Sequence, residues 1–125
     1  MKEWDWTINE RPYDLRVRLF CFACLTVRLV QYLHTRGPVA VKLSEQILRC
    51  GTSAGANYEE ADDGSSDADK LAKRRIVLRE LKETSFRLRV LRQTGFLTAA
   101  HDPLINENAE LVTIVATVIR NSAGK

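Results

Sequence analysis

Residues 38–62 read PVAVKLSEQILRCGTSAGANYEEAD, and this stretch decides the fold. Apolar or small side chains recur in it at intervals of four, three, four, four and three, namely at Leu43, Ile47, Cys50, Ala54, Tyr58 and Ala61. That spacing places them on one face of an α-helix. Gly51 and Gly55 each cost about 1 kcal/mol inside a helix relative to alanine. Because the period passes through both glycines unchanged, we predict one continuous helix whose glycines allow another helix to approach closely.

Three more segments carry a helical period, and their predicted limits are about 13–34, 66–94 and 103–121. The first has two apolar stripes, so we expect it to contact more than one neighbour. Its second stripe consists of Phe20, Ala23, Val27 and Val30. We expect residues 1–12 to form an arm that carries Trp4 and Trp6 outside the helices. Short connections between amphipathic helices are typical of antiparallel bundles, so residues 1–125 are predicted to be one all-α, up-and-down four-helix bundle.

The composition favours a globular protein of the cytoplasm. The chain of 125 residues has 45% hydrophobic and 28% charged residues, with only 6 Gly and 3 Pro. The charged N-terminus does not resemble a secretory signal. The longest apolar run, residues 19–25, is far shorter than the roughly 20 residues that a membrane helix needs. Three cysteines cannot all pair in one chain, and reduced thiols are the simpler interpretation; a redox or metal pair at Cys21 and Cys24 is the alternative.

Residues suited to catalysis or metal binding do not converge in the sequence. His34 and His101 have no second ligand at helical spacing, and we expect each to be solvated or to cap a helix C-terminus. Ser53 has no histidine nearby in sequence. Glu59 and Glu60 are adjacent on a helix and point about 100° apart. We therefore predict no catalytic residue, no metal site and no cofactor, and we expect that the protein is not an enzyme.

The third predicted helix carries a row of cations with an aromatic residue among them. The spacing of four, three, four and three places these side chains on one face: Arg75, Arg79, Lys82, Phe86 and Arg89. We call these five residues the basic ridge. Neighbouring like charges repel on a helix, and a phosphate backbone is a natural ligand that offsets the repulsion. The alternative is a solvated face that is balanced by Glu80, Glu83 and the acidic residues between Glu59 and Asp69.

The glycine-containing segment also carries a family resemblance. The run LRCGTSAGANYEEA at residues 48–61, followed by IVLRELKET at residues 76–84, resembles the four-helix bundle proteins encoded in intervening sequences of bacterial 23S ribosomal RNA genes. The matching positions are Gly51, Thr52, Ser53, Gly55, Ala56, Asn57, Tyr58, Glu60, Ala61, Glu80 and Glu83. The chain departs from the family pattern at Cys50, where serine is usual, and at Arg87, where an aromatic residue is common.

The resemblance implies a homopentamer without an established activity. From the residues themselves, we expect the matched positions to fix the bundle and its subunit contacts. The leading functional hypothesis is a homo-oligomeric module that binds RNA or a ribonucleoprotein. The alternative is a structural or adaptor protein that recruits a protein partner through its oligomeric surface.

Overall fold

The computed structural model describes residues 14–123, and within that range the chain forms four α-helices and no strand. Helix α1 spans Leu15–Leu33, α2 spans Pro38–Asp62, α3 spans Asp67–Gln93 and α4 spans Asp102–Ala123. A short 3₁₀ helix, Ala99–His101, precedes α4. The all-α architecture agrees with the sequence prediction. The Trp4 and Trp6 arm and the predicted start of the first helix lie outside the described residues.

Local signals in the sequence account for the helix ends. The carboxylate of Asp14 accepts a hydrogen bond from the Arg16 amide at 2.9 Å, which caps α1. Ser66 caps α3 in the same way, with its hydroxyl 3.1 Å from the Asp69 amide. Both side chains satisfy amides that have no partner inside the first turn. Gly95 follows α3 with a φ of 85°, a backbone conformation that favours glycine.

Ion pairs at the helix ends show how successive helices run. Asp62, at the end of α2, contacts Arg16 at the start of α1 at 3.8 Å and Arg74 near the start of α3 at 3.9 Å. Arg92, near the end of α3, contacts Asp102 at the start of α4 at 2.9 Å. Farther from the connections, Arg49 of α2 contacts Glu80 of α3 at 3.0 Å, and the Asn108 amide of α4 donates to the Leu81 carbonyl of α3 at 3.1 Å, so each helix runs antiparallel to the next. Helix α1 also touches α4. This arrangement fits an up-and-down bundle.

Helix α2 continues through both glycines, and α1 is the helix that approaches them. A Cβ added to Gly55 would lie 3.4 Å from the backbone oxygen of Leu19. At Gly51 an added Cβ would meet the side chain of Thr26 at 2.5 Å. Tertiary packing therefore compensates for the low helix propensity of the two glycines.

Leucine side chains of α1, α3 and α4 form most of the core, and α2 contributes Ala40, Ile47 and Ala54. The second stripe of α1 behaves differently. Val30 is buried, but Phe20 is 60% exposed and Val27 is 40% exposed. Contacts among residues 14–123 therefore leave this part of α1 uncovered.

The segment before α4 differs from the sequence prediction. His101 is buried, and its Nδ1 accepts a hydrogen bond from the Thr98 amide at 3.0 Å. Its ring lies 4.9 Å from that of Tyr32 on α1. The expectation of a solvated or C-capping His101 is wrong, because Thr98 and His101 form a capping box at the start of the 3₁₀ helix. His34, in contrast, is exposed at the C-cap of α1.

Within residues 14–123, no helix is both long and apolar enough to cross a membrane.

Candidate functional site

The basic ridge is a continuous exposed face of α3. All five of its side chains are exposed. The buried face of α3 consists of Val77, Leu81, Thr84, Leu88 and Leu91, which point the opposite way. The helical period brings the ridge residues together as the sequence predicts, and the packing of α3 against α2 and α4 turns them outward.

The ridge cations differ in their ion pairing from three arginines on other faces of α3. Arg74 contacts Asp62 at 3.9 Å, Arg87 contacts Glu83 at 2.9 Å and Arg92 contacts Asp102 at 2.9 Å. Arg75, Arg79, Lys82 and Arg89 form no ion pair with any other described residue. The unpaired positive charge of α3 is thus concentrated on the face that points away from the bundle.

Several of the carboxylates that the alternative interpretation assigns to balancing the ridge contact other cations. Glu80 and Glu83 face α2, where Arg49 contacts them at 3.0 Å and 2.6 Å. The Arg49 guanidinium, together with Arg87, holds the pKa of Glu83 below its usual range. In the acidic stretch, Glu59 contacts Arg16 at 3.4 Å. These contacts do not extend to the ridge.

Phe86 borders a groove between α2 and α3. The groove has a volume of about 160 Å³ and is lined mainly by apolar side chains, namely Leu43, Ile47, Phe86, Arg87, Val90 and Leu91. Phe86 itself is 58% exposed. The guanidinium carbon of Arg89 lies 5.8 Å from the centre of its ring, within the range of a cation–π contact. The ridge therefore combines cations with an accessible aromatic face.

The matched residues of α2 mostly serve the helix and its packing. Thr52 donates a hydrogen bond to the Leu48 carbonyl at 2.6 Å, and the Asn57 amide donates to the Ser53 carbonyl at 2.8 Å. Gly51, Gly55 and Ala61 are buried, whereas Ala56 and Glu60 are exposed.

Two further contacts connect this segment to α3. Arg74 lies over the half-buried ring of Tyr58 at 6.0 Å, and burial raises the pKa of that phenol. Arg49 joins α2 to Glu80 and Glu83. Sequence reasoning missed Arg49 as the connecting residue, although it stands inside the matched segment.

Sequence reasoning also missed a buried ion pair between α1 and α4. Glu107 is only 1% exposed, and its two carboxylate oxygens accept hydrogen bonds from Arg18 at 2.7 Å and 2.8 Å. These bonds raise the pKa of Arg18. Glu107 lies three residues after Leu104 and four before Leu111, and this polar residue inside an apolar stripe was the available signal.

The described residues bear on the metal and thiol pair that the sequence left as an alternative. Among residues 14–123, no set of three or more His, Cys, Asp or Glu side chains is arranged to hold a metal ion. Cys21, Cys24 and Cys50 are free thiols. Cys50 is buried, and its sulfur accepts a hydrogen bond from Thr84 at 3.0 Å.

Comparisons with known proteins place the chain in a family. A family model described as 23S rRNA-intervening sequence protein matches residues 20–117. The structure is similar to the crystal structure of a protein of unknown function from the S23 ribosomal protein family of Bacteroides thetaiotaomicron. The TM-score is 0.78 at 32% sequence identity, and the match covers 85% of this chain and 98% of the other. No curated protein matches the chain. The family match extends over most of the chain and includes the glycine-containing segment, so the chain belongs to the family of 23S rRNA-intervening sequence proteins.

Proposed function

We propose that this protein is a cytoplasmic, non-enzymatic, homo-oligomeric bundle that binds RNA or a ribonucleoprotein through the basic ridge. One observation carries the proposal: Arg75, Arg79, Lys82 and Arg89 are exposed and form no ion pair with another described residue, while Arg74, Arg87 and Arg92 on the same helix are paired.

The energetics of the ridge favour an anionic ligand. Like charges three or four residues apart on a helix destabilise it by about 0.2–0.5 kcal/mol per pair. Phosphates that bind the ridge remove this repulsion and release condensed counterions, which gives an affinity that falls with salt. The family description, 23S rRNA-intervening sequence protein, gives the location of the coding sequence and names no ligand. Neither that description nor the similar structure names a reaction.

Self-association is supported by the uncovered part of α1. Val17, Phe20 and Val27 are 44%, 60% and 40% exposed and lie along one side of the helix. We call these three residues the exposed stripe. Apolar side chains grouped in this way are typical of surfaces that bind another protein. We assign the exposed stripe to contacts between copies of this chain in a homopentamer, the assembly that the family resemblance implies.

The proposal is tested by titrating a labelled stem-loop RNA with the protein at 50 and 200 mM salt. The ridge variant carries Arg75→Gln, Arg79→Gln and Lys82→Gln and retains Arg89, which contacts Phe86. If each lost cation contacts one phosphate, the slope of log K against log salt becomes shallower by about 2 to 3. Binding at 50 mM salt weakens accordingly.

A matched control removes the same amount of charge from other exposed positions: Arg36→Gln, Lys42→Gln and Arg120→Gln. Both variants lower the formal net charge from +3 to 0, so a general charge effect appears equally in both. The proposal requires the control to bind like the wild type. If the wild type does not bind RNA, or if both variants bind alike, the ridge is a solvated face and the adaptor function is favoured.

A further inference from the structure

We propose that the ligand of the ridge is unpaired RNA and that Phe86 is the platform on which one base stacks. This inference rests on the proposed RNA binding and specifies the form of the RNA. The observation behind it is the position of Phe86, which is 58% exposed between Lys82 and Arg89 and borders the groove of about 160 Å³.

The arrangement of charge around Phe86 suits a nucleotide. Lys82 precedes Phe86 by about one helical turn, and Arg89 follows it by about one turn and lies over its ring at 5.8 Å. A strand that crosses α3 here can place a phosphate near a cation and the attached base on the aromatic ring. Cationic surfaces with interspersed aromatic side chains bind single-stranded nucleic acids in this way.

The groove beside Phe86 provides an apolar surface for the same base. Leu43 of α2 and Val90 of α3 line the groove together with Phe86. The groove, of about 160 Å³, offers room for a single base. An apolar partner helix is a poor alternative, because two cations without a described ion-pair partner flank the ring on the ridge.

Double-stranded RNA cannot use this platform. Its bases are stacked inside the helix, and proteins contact it mainly through phosphates and 2′-hydroxyls. Phe86 therefore contributes to affinity only when a base of the RNA is unstacked from the bases next to it. The ridge cations attract both forms of RNA, but the aromatic ring distinguishes between them.

The experiment compares a labelled single strand with the same strand in a duplex, for the wild type and for three variants at one position. Phe86→Leu removes the aromatic face but keeps an apolar side chain, whereas Phe86→Tyr and Phe86→Trp keep an aromatic ring. We expect Phe86→Leu to weaken single-strand binding about five- to a hundredfold, by analogy with alanine substitution of a stacking aromatic. Duplex binding should change less than twofold, and both aromatic variants should bind like the wild type.

The possible results separate this inference from the proposed function. If the wild type binds both forms and Phe86→Leu has no effect on either, base stacking is wrong while RNA binding through the cations stands. If the wild type binds neither form, the proposed function fails and this inference fails with it. Melting and light scattering show whether the leucine variant is still folded and assembled.

A second measurement uses the unmodified protein, so it does not depend on the folding of a variant. A single strand that carries 5-bromouridine is bound, irradiated and digested with trypsin. A crosslink in the peptide of residues 83–87, which contains Phe86, supports the inference. Crosslinks only in other peptides overturn it.

Discussion

Gly51 of α2 faces Thr26 of α1 so closely that a Cβ on the glycine would lie 2.5 Å from the threonine Cγ2 and 2.7 Å from its hydroxyl oxygen. Thr26 has little freedom to move away. It is 1% exposed, and its hydroxyl donates a hydrogen bond to the Phe22 carbonyl at 2.9 Å. The distance between α1 and α2 is therefore set by the absence of a side chain at position 51.

Gly51→Ala should destabilise the protein by about 1 kcal/mol, the middle of a net range of about 0–2 kcal/mol. The gain in helix propensity is about 1 kcal/mol, but overpacking of a core typically costs about 1–3 kcal/mol. Gly55→Ala is the matched comparison, since its Cβ would meet the nearest atom only at 3.4 Å, and it should be neutral or slightly stabilising. Urea denaturation measures both effects. Adding Thr26→Ala should recover most of the loss in Gly51→Ala, and equal losses at the two glycines would contradict this account.

Arg18→Leu should cost about 3 kcal/mol of unfolding free energy. The substitution removes a bidentate partner from the Glu107 carboxylate, which is 1% exposed, and breaking a buried ion pair is strongly destabilising. The double variant Arg18→Leu with Glu107→Leu removes both charges and should be more stable than the single variant. Denaturant midpoints of the two variants provide the measurement. If Arg18→Leu is as stable as the wild type, burial of the Glu107 carboxylate does not require the ion pair with Arg18.

The stability of the protein should decrease as the pH falls below about 6.5, the usual pKa of histidine. Burial lowers the pKa of His101 in the folded protein, so the unfolded chain binds a proton at a higher pH. The contribution of His101 to the unfolding free energy is therefore fully present above the histidine pKa of the unfolded chain. It is lost as the pH falls toward the pKa of His101 in the folded protein. His101→Gln keeps an acceptor for the Thr98 amide and does not titrate in this range.

Melting temperatures at pH 7.5 and 5.5 test this effect. The difference between the two should be smaller in His101→Gln than in the wild type. His34→Gln, at the exposed C-cap of α1, is the control and should retain the difference of the wild type. If His101→Gln shows the same difference in melting temperature as the wild type, other groups cause the pH dependence.

Phe20→Glu should dissociate the proposed assembly. It places a charge in the exposed stripe, where burial against another copy would leave the carboxylate without water. Light scattering of the wild type should give a mass near five times the 14.2 kDa of one chain, and the variant should give a lower mass. Val39→Glu is the control, because Val39 is 58% exposed but lies on α2. A monomeric wild type, or dissociation by Val39→Glu alone, would contradict this assignment.

The period of the apolar residues was sufficient to predict the four helices. The third was predicted at about 66–94 and is observed at Asp67–Gln93. The same period placed Arg75 and Arg89 on one face, because residues three and four apart are neighbours on any helix. The limits of each helix and the residues that share one of its faces could therefore be predicted from the sequence.

Contacts between helices were not accessible in the same way. Arg18 and Glu107 are 89 positions apart, and their pairing depends on how α1 and α4 pack. Likewise, Arg49 meets Glu83 only because α2 and α3 have a particular relative rotation. The exposure of Phe20 could not be predicted either, because apolar periodicity does not distinguish a core within the chain from a contact with another chain.

The two ends of the bundle differ in what holds them closed. At the end formed by the 3₁₀ helix, Leu97 and Leu104 are buried and His101 lies against Tyr32. At the opposite end, Arg16 and Arg74 contact the acidic residues of α2 through exposed or half-buried ion pairs, which salt weakens. Local opening should therefore start at the acidic turn, and amides there should exchange with solvent first. Salt also weakens the exposed Arg92–Asp102 pair at the other end, but the buried contacts of Leu97, Leu104 and His101 remain there, so raising the ionic strength should loosen the acidic end more.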